Sequence, residues 1–271
     1  MSALAAAGAA ALACGLAGAL VPRALARVPE PAPEPTPEAE PAPVPPGAEP
    51  GVEPAVDPTT EQPAASSADP SVEPPKVAYA ELAARPRLAW TTALTAAVAG
   101  GVVAGAVGWS WTLLFLLPTI PVGVLLGYVD LRTKLLPSRV LLPTHAAVIV
   151  LAGVCALVTS DGHALVRALL GMLAARSVFW ALWWIRSAGM GFGDVRLSAL
   201  LGFELAYLGW GELVVGTYAS FLLFGLPGLV VAVARRDRTL LRTAFPFGPA
   251  MLVGAVVGVV VGSAVWGHLV G

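Results

Sequence analysis

The chain has 271 residues, of which 57% are hydrophobic and only 12% charged, with a mean hydropathy of +0.78. A soluble domain of this size needs far more charge on its surface, and several apolar runs approach the ~20 residues that cross a hydrocarbon core roughly 30 Å thick. These numbers exclude a soluble globular protein. The net charge of -1 conceals an asymmetry, because residues 28–75 hold ten acidic side chains and no basic one while the rest of the chain is basic.

Residues 3–22 form the first apolar stretch, followed by Arg23 and Arg27. A secretory signal peptide carries its positive charge before the apolar region. Here the charge follows, so the expectation is an uncleaved anchor, residues 1–27, with its N-terminus outside and its arginines inside. Residues 28–75 then hold 16 of the 25 prolines, interleaved with Glu and Ala. Proline fixes φ and removes backbone donors, and like charges repel, so this composition predicts a disordered, extended cytoplasmic linker over residues 28–87.

From residue 88 to 271 the chain reads as a membrane domain. Apolar helices are expected at about 89–109, 111–129, 140–158, 164–186, 195–210, 212–234 and 247–269. With the first stretch this makes an all-α polytopic membrane protein of about eight transmembrane helices. Trp109 and Trp111 mark an aromatic belt between the second and third spans, and Trp180, Trp183 and Trp184 an interfacial anchor at the end of the fifth.

Orientation follows from counting. With the N-terminus outside, the inner loops and helix ends hold all of the 16 Lys and Arg residues except Arg167 and Arg176. That is a positive-inside pattern, and it assigns the chain to the plasma membrane with both informative acidic helix ends facing the cytoplasm. Arg235, Arg236, Arg238 and Arg242 read as a topology determinant on anionic lipid rather than a nucleic-acid site. Arg167 is expected to snorkel outward, and Arg176 to face the bundle and pair with Glu204.

Cys14 and Cys155 lie in apolar runs with no CxxC pair, which points to buried structural thiols rather than a zinc module or disulfide. His145, His163 and His268 are scattered, so neither a metal centre nor a cofactor is indicated.

The chemistry concentrates at two inner helix ends. The first reads GYVDLRTKLLPSRVLLP, where Asp130 ends the third span and Pro137 marks the turn back into the membrane. The second reads SAGMGFGDVRLSALLG, where Gly189, Gly191 and Gly193 free the backbone and Asp194 opens the sixth helix. Two carboxylates suffice to hydrolyse a peptide when they are close enough to share one proton. The ionised acid draws a proton from water, and the protonated one hydrogen-bonds the scissile carbonyl. The competing description of either acid alone is a solvated helix end, with Asp194 as an N-cap.

Asp130-Leu131-Arg132-Thr133 with Leu136-Pro137, then Gly191-Phe192-Gly193-Asp194-Val195-Arg196, then Phe245-Pro246-Phe247-Gly248-Pro249 together resemble the type IV prepilin peptidase family, membrane aspartyl proteases of the GxGD class. The resemblance runs over roughly residues 89–270. It implies that Asp130 and Asp194 are the catalytic pair, shaped by Gly189, Gly191, Gly193, Arg196 and Pro137. It also implies that the substrate is a prepilin-like precursor whose basic leader is removed at the cytoplasmic membrane face. Two departures are small: Ser138 stands where the family usually has Asn, and Arg196 where it often has Lys. A larger one is the Pro/Glu linker, which stands where many members carry a cytoplasmic domain with paired CxxC motifs tied to N-methylation. Cleavage is therefore the implied activity, and methyl transfer is not supported. The alternatives are a non-enzymatic transporter or assembly scaffold, or an inactive homologue.

Overall fold

The computed structural model describes residues 2–29, 79–185, 191–234 and 246–270. The acidic linker, Gly189, Phe245 and the arginine run from Arg235 to Arg242 lie outside the described residues. The described residues form helices α1 (Ala3–Ala19), α2 (Val21–Leu25), α3 (Tyr79–Ala83), α4 (Leu88–Val107), α5 (Leu113–Thr133), α6 (Ser138–Thr159), α7 (Gly162–Ile185), α8 (Phe192–Leu208), α9 (Trp210–Ala234) and α10 (Gly248–Val270), with no strand among them. In lipid each backbone polar group must be satisfied within the segment, so an apolar run of this length has one option, the helix. Five of them are long and apolar enough to cross a membrane: α4, α5, α6, α7 and α10. The chain is an all-α, multi-pass membrane protein.

Each expected span appears as a helix, and the differences lie at the ends. The third span, expected to stop at 129, continues as α5 to Thr133, where Lys134 adopts φ 54° and donates its N–H to the carbonyl of Asp130. Asp130 therefore sits inside the final turn of α5. The sixth begins earlier than expected, at Phe192 with Gly191 as N-cap, which puts Asp194 at the third helical position and removes the N-cap reading of that residue. α3 falls within the stretch expected as linker. Its Tyr79 and Leu82 are buried, and Tyr128 of α5 donates its hydroxyl to the Leu82 carbonyl, so packed structure resumes by Tyr79.

Helices in lipid gain little from apolar burial and are held by close approach through small residues and by interhelical hydrogen bonds. α1 buries Ala6, Ala10, Cys14 and Gly18, a stripe repeating every four residues, against α4. There a Cβ on Gly18 would lie 2.6 Å from the Thr92 carbonyl, and the Thr92 hydroxyl donates 2.8 Å to the Gly18 carbonyl. α10 meets α9 through Gly254, Gly258 and Gly262 in the same manner. α8 is central, with 12 of its 17 residues buried. A helix apolar nearly all round belongs inside a bundle.

The two arginines within α7 are held in different ways. The Arg167 guanidinium donates to the carbonyls of Ala206, Tyr207 and Leu208 at 2.6, 2.6 and 3.2 Å, capping the C-terminus of α8 where backbone acceptors are otherwise orphaned. Arg176 lies on the exposed face of α7, where its charge is felt by His145, and it does not pair with Glu204. The sequence places both arginines at membrane depth but cannot say which way α7 is rotated. Cys14 and Cys155 are buried free thiols, as expected.

Candidate active site

The site forms at one end of the bundle, where the last turn of α5, the first turn of α8 and the start of α10 converge. Asp130 is buried, 3% exposed, and its Oδ2 accepts the backbone N–H of Gly248 at 2.9 Å. Gly248 is the first residue of α10, so this acid takes one of the backbone donors that a helix N-terminus leaves free. The approach is close: a Cβ at Gly248 would lie 2.8 Å from Asp130 Oδ2 and 3.2 Å from its Cγ. Glycine is required there for room, since its φ is not positive. Pro249 follows in the first turn, where its missing N–H costs nothing.

Asp194 is buried, 6% exposed. Its carboxylate interacts with the Gly191 backbone N–H and is close enough to Asp130 to feel that charge. The reach back from the third helical position to the N-cap amide is one half of a capping box. Its Oδ1 is enclosed and has no hydrogen-bond partner. An acid that served only to cap a helix would not bury a second, unsatisfied oxygen beside another carboxylate, because that arrangement costs stability.

The glycines around Asp194 are not equivalent. A Cβ on Gly193 would sit 2.7 Å from Leu136 Cβ, so this glycine lets α8 close onto the turn between α5 and α6. Gly191 has φ -72° and its nearest neighbour would be 3.8 Å away, so neither strain nor space demands glycine there. Gly189 falls outside the described residues. Pro137 is the N-cap of α6, at the turn back into the bundle as expected.

Arg196 donates to the Ser138 hydroxyl, tying α8 to the first residue of α6. The two small departures from the family pattern thus touch each other: a longer cationic side chain meets a shorter polar one. The Arg196 guanidinium also lies over the Phe192 ring, 5.0 Å from its centre, and Phe192 meets Trp183 edge to face at 5.2 Å. Trp180 and Trp184 are exposed, in keeping with an interfacial anchor, whereas Trp183 turns inward to support the first turn of α8. Phe247 packs against Phe179, Phe221 and Phe224, anchoring the start of α10 beside Asp130. Sequence patterns flagged both aspartates and Pro246-Phe247-Gly248-Pro249 but not the partnership of Gly248 with Asp130. The only sequence signal for that contact was the glycine at the first helical position.

Residues 117–233, which carry both aspartates, match the type IV leader peptidase family. Similar curated proteins are each called prepilin leader peptidase/N-methyltransferase. The one from Neisseria gonorrhoeae is 32% identical over 171 residues, covering 61% of this chain and 55% of that protein. Those from Aeromonas hydrophila and Pseudomonas putida are each 31% identical, over 58% and 61% of this chain and 52% and 56% of the relatives. The chain spans little more than half the length of the curated relatives it matches. No solved structure matches it significantly. The likeness to the type IV leader peptidase family lies in the segment bearing the two aspartates.

Proposed function

We propose that this protein is a membrane aspartyl endopeptidase that removes the basic leader from prepilin-like precursors, with Asp130 and Asp194 as its acid/base pair. The observation that carries the reading is the pair itself: two buried acids from different helices, each held by a backbone amide, within electrostatic reach of one another. Their proximity favours a single shared proton. The ionised member takes a proton from water as the water oxygen attacks the scissile carbonyl carbon. The protonated member hydrogen-bonds the carbonyl oxygen as negative charge develops there. The tetrahedral intermediate then collapses, the C–N bond breaks, and the amine leaves with the proton returned by the pair. The products are a leader carboxylate and a mature chain with a new N-terminus.

Gly193 and Arg196 position the first turn of α8 through Leu136 and Ser138. Gly191, the N-cap of α8, and Pro137, the N-cap of α6, flank it. The positive-inside distribution of Lys and Arg supports placing both acids at the cytoplasmic face of the plasma membrane, with the N-terminus outside. Composition supports reading the Pro/Glu segment as an extended cytoplasmic linker. The proposal is confined to cleavage.

Co-expression with a prepilin-like precursor tests it, comparing wild type with Asp130→Asn and Asp194→Asn. Each substitution keeps the shape of the side chain and removes its titrating proton. Leader removal should cease in both variants. Continued removal by either one overturns the assignment.

A further inference from the structure

Glu204 is a buried acid that hydrolysis does not use. It lies on α8, is 6% exposed, and stands within hydrogen-bonding reach of the Thr119 side chain on α5. Thr119 Oγ1 already donates to the Leu116 carbonyl at 2.7 Å. A hydroxyl has one proton, so toward Glu204 that oxygen can only accept. A carboxylate would offer it no donor and would bury a charge with no cation beside it. Arg167 is committed to the α8 carbonyls, and Arg176 faces outward. The contact is satisfied when Glu204 is a neutral carboxylic acid donating to Thr119. Oε1, enclosed and without a partner, is then its carbonyl oxygen.

The contact falls at a telling place. Glu204 is ten positions beyond Asp194 on α8, and Thr119 is eleven before Asp130 on α5, about 15 and 17 Å along the two helix axes. One turn further, Phe115 of α5 meets Tyr207 of α8 edge to face, with ring centres 4.9 Å apart. Asp130 with Asp194, Thr119 with Glu204 and Phe115 with Tyr207 thus follow one antiparallel register. The close small-residue approaches of these two helices go elsewhere. Gly202 of α8 packs on Gly171 and Ala175 of α7, while Gly123 and Gly127 of α5 meet Leu252 of α10. Between the level of the aspartates and that of Glu204, both helices line a cavity of about 370 Å³, through Gly123 and Leu126 on α5 and Leu197 and Leu200 on α8. A seam with a cavity along its middle takes its register from the contacts at its ends.

We propose that Glu204, as a protonated donor to Thr119, is a positioning residue that fixes the register of α8 on α5 and so the spacing of Asp194 from Asp130. It acts through the two aspartates and touches no reacting atom. The inference rests on the proteolytic reading for its effect on rate.

The test uses the full chain in proteoliposomes, comparing wild type with Glu204→Leu, Thr119→Val, the double variant and Glu204→Gln. Leucine removes an unpartnered buried oxygen, so Glu204→Leu should be at least as stable as wild type in thermal inactivation. Single-turnover cleavage of a prepilin-like precursor, read per folded molecule, should nevertheless fall about tenfold in Glu204→Leu and in Thr119→Val. The double variant should fall no further, because the two side chains act as one unit. Glutamine keeps a donor, so Glu204→Gln should cleave within about twofold of wild type. The pH profile separates positioning from general weakening. As the aspartates part, their coupling falls, so the two limbs of the bell should draw together in Glu204→Leu and stay apart in Glu204→Gln. Full cleavage by Glu204→Leu, or a Glu204→Gln variant as impaired as the leucine one, overturns the proposal. Spin labels on Leu131→Cys and Gly191→Cys, with Cys14 and Cys155 replaced by Ala, measure the α5–α8 distance without substrate. A distance that changes in Glu204→Leu but not in Glu204→Gln, in a protein that cleaves nothing, leaves the positioning contact standing and removes proteolysis. An unchanged distance in Glu204→Leu removes the positioning role alone.

Discussion

Replacing Gly248 with Ala tests whether the position of Asp130, and not merely its presence, sets the rate. The added Cβ would lie 2.8 Å from Asp130 Oδ2, whereas ordinary van der Waals contact begins at 3.4 Å. A gap of about 0.6 Å must open between the start of α10 and the acid. Displacements of about 1 Å in a catalytic group cost on the order of 100-fold in rate, so a loss of about 10- to 100-fold in kcat is expected, about 1.4 to 2.7 kcal/mol. The overpacking should also cost about 1 to 3 kcal/mol of stability, with no added backbone strain because Gly248 does not have positive φ. The assay is single-turnover cleavage of a prepilin-like precursor in isolated membranes, with the amount of folded protein fixed by thermal inactivation in detergent so that the rate is read per folded molecule. Adding Gly248→Ala to Asp130→Asn should bring no comparable further loss, because residues that act as a unit are not additive. A Gly248→Ala protein that cleaves at the wild-type rate would refute the reasoning: the short contact would then be irrelevant to the chemistry.

Gly193→Ala should lose both activity and stability, by about 1 to 3 kcal/mol for the overpacking against Leu136, with partial rescue by Leu136→Gly, which removes the Cβ that the new methyl would meet at 2.7 Å. Gly191→Ala should stay within about twofold of wild type in the cleavage assay, since its Cβ would meet nothing closer than 3.8 Å. Arg196→Lys should weaken cleavage by losing the Ser138 contact, and adding Ser138→Asn, whose longer side chain meets the shorter reach of lysine, should restore part of it. A double-mutant cycle on that pair should show coupling of about 0.5 to 3 kcal/mol, and additive effects would disprove the contact. Gly258→Ala should destabilise the α9–α10 pair by about 1 to 3 kcal/mol in thermal inactivation, because the new methyl would lie 2.5 Å from the Glu212 carbonyl and 2.8 Å from Gly216 Cα.

The sequence by itself determined the class of fold and singled out the two acids that the structure buries within electrostatic reach of one another. Apolar runs of membrane length must become helices because lipid offers their backbones no other partner, and every expected span is found as one. Asp130 and Asp194 stood out as acids flanked by turn-forming residues in a region short of acids. What tertiary structure decided is how those helices are rotated and which distant residues meet. Gly248 reaches Asp130 across 118 positions and Arg196 reaches Ser138 across 58, and nothing local encodes either contact. Arg176 shows the limit most clearly. Its depth in α7 was readable, and pairing with Glu204 was the expected way to hide its charge, yet it faces outward while Glu204 is buried beside Thr119. Hydropathy measures how much of a helix is apolar, whereas its azimuth is set by packing against neighbours through small residues and interhelical hydrogen bonds. That packing left Glu204 with an unpartnered oxygen and gave the two aspartates their common site.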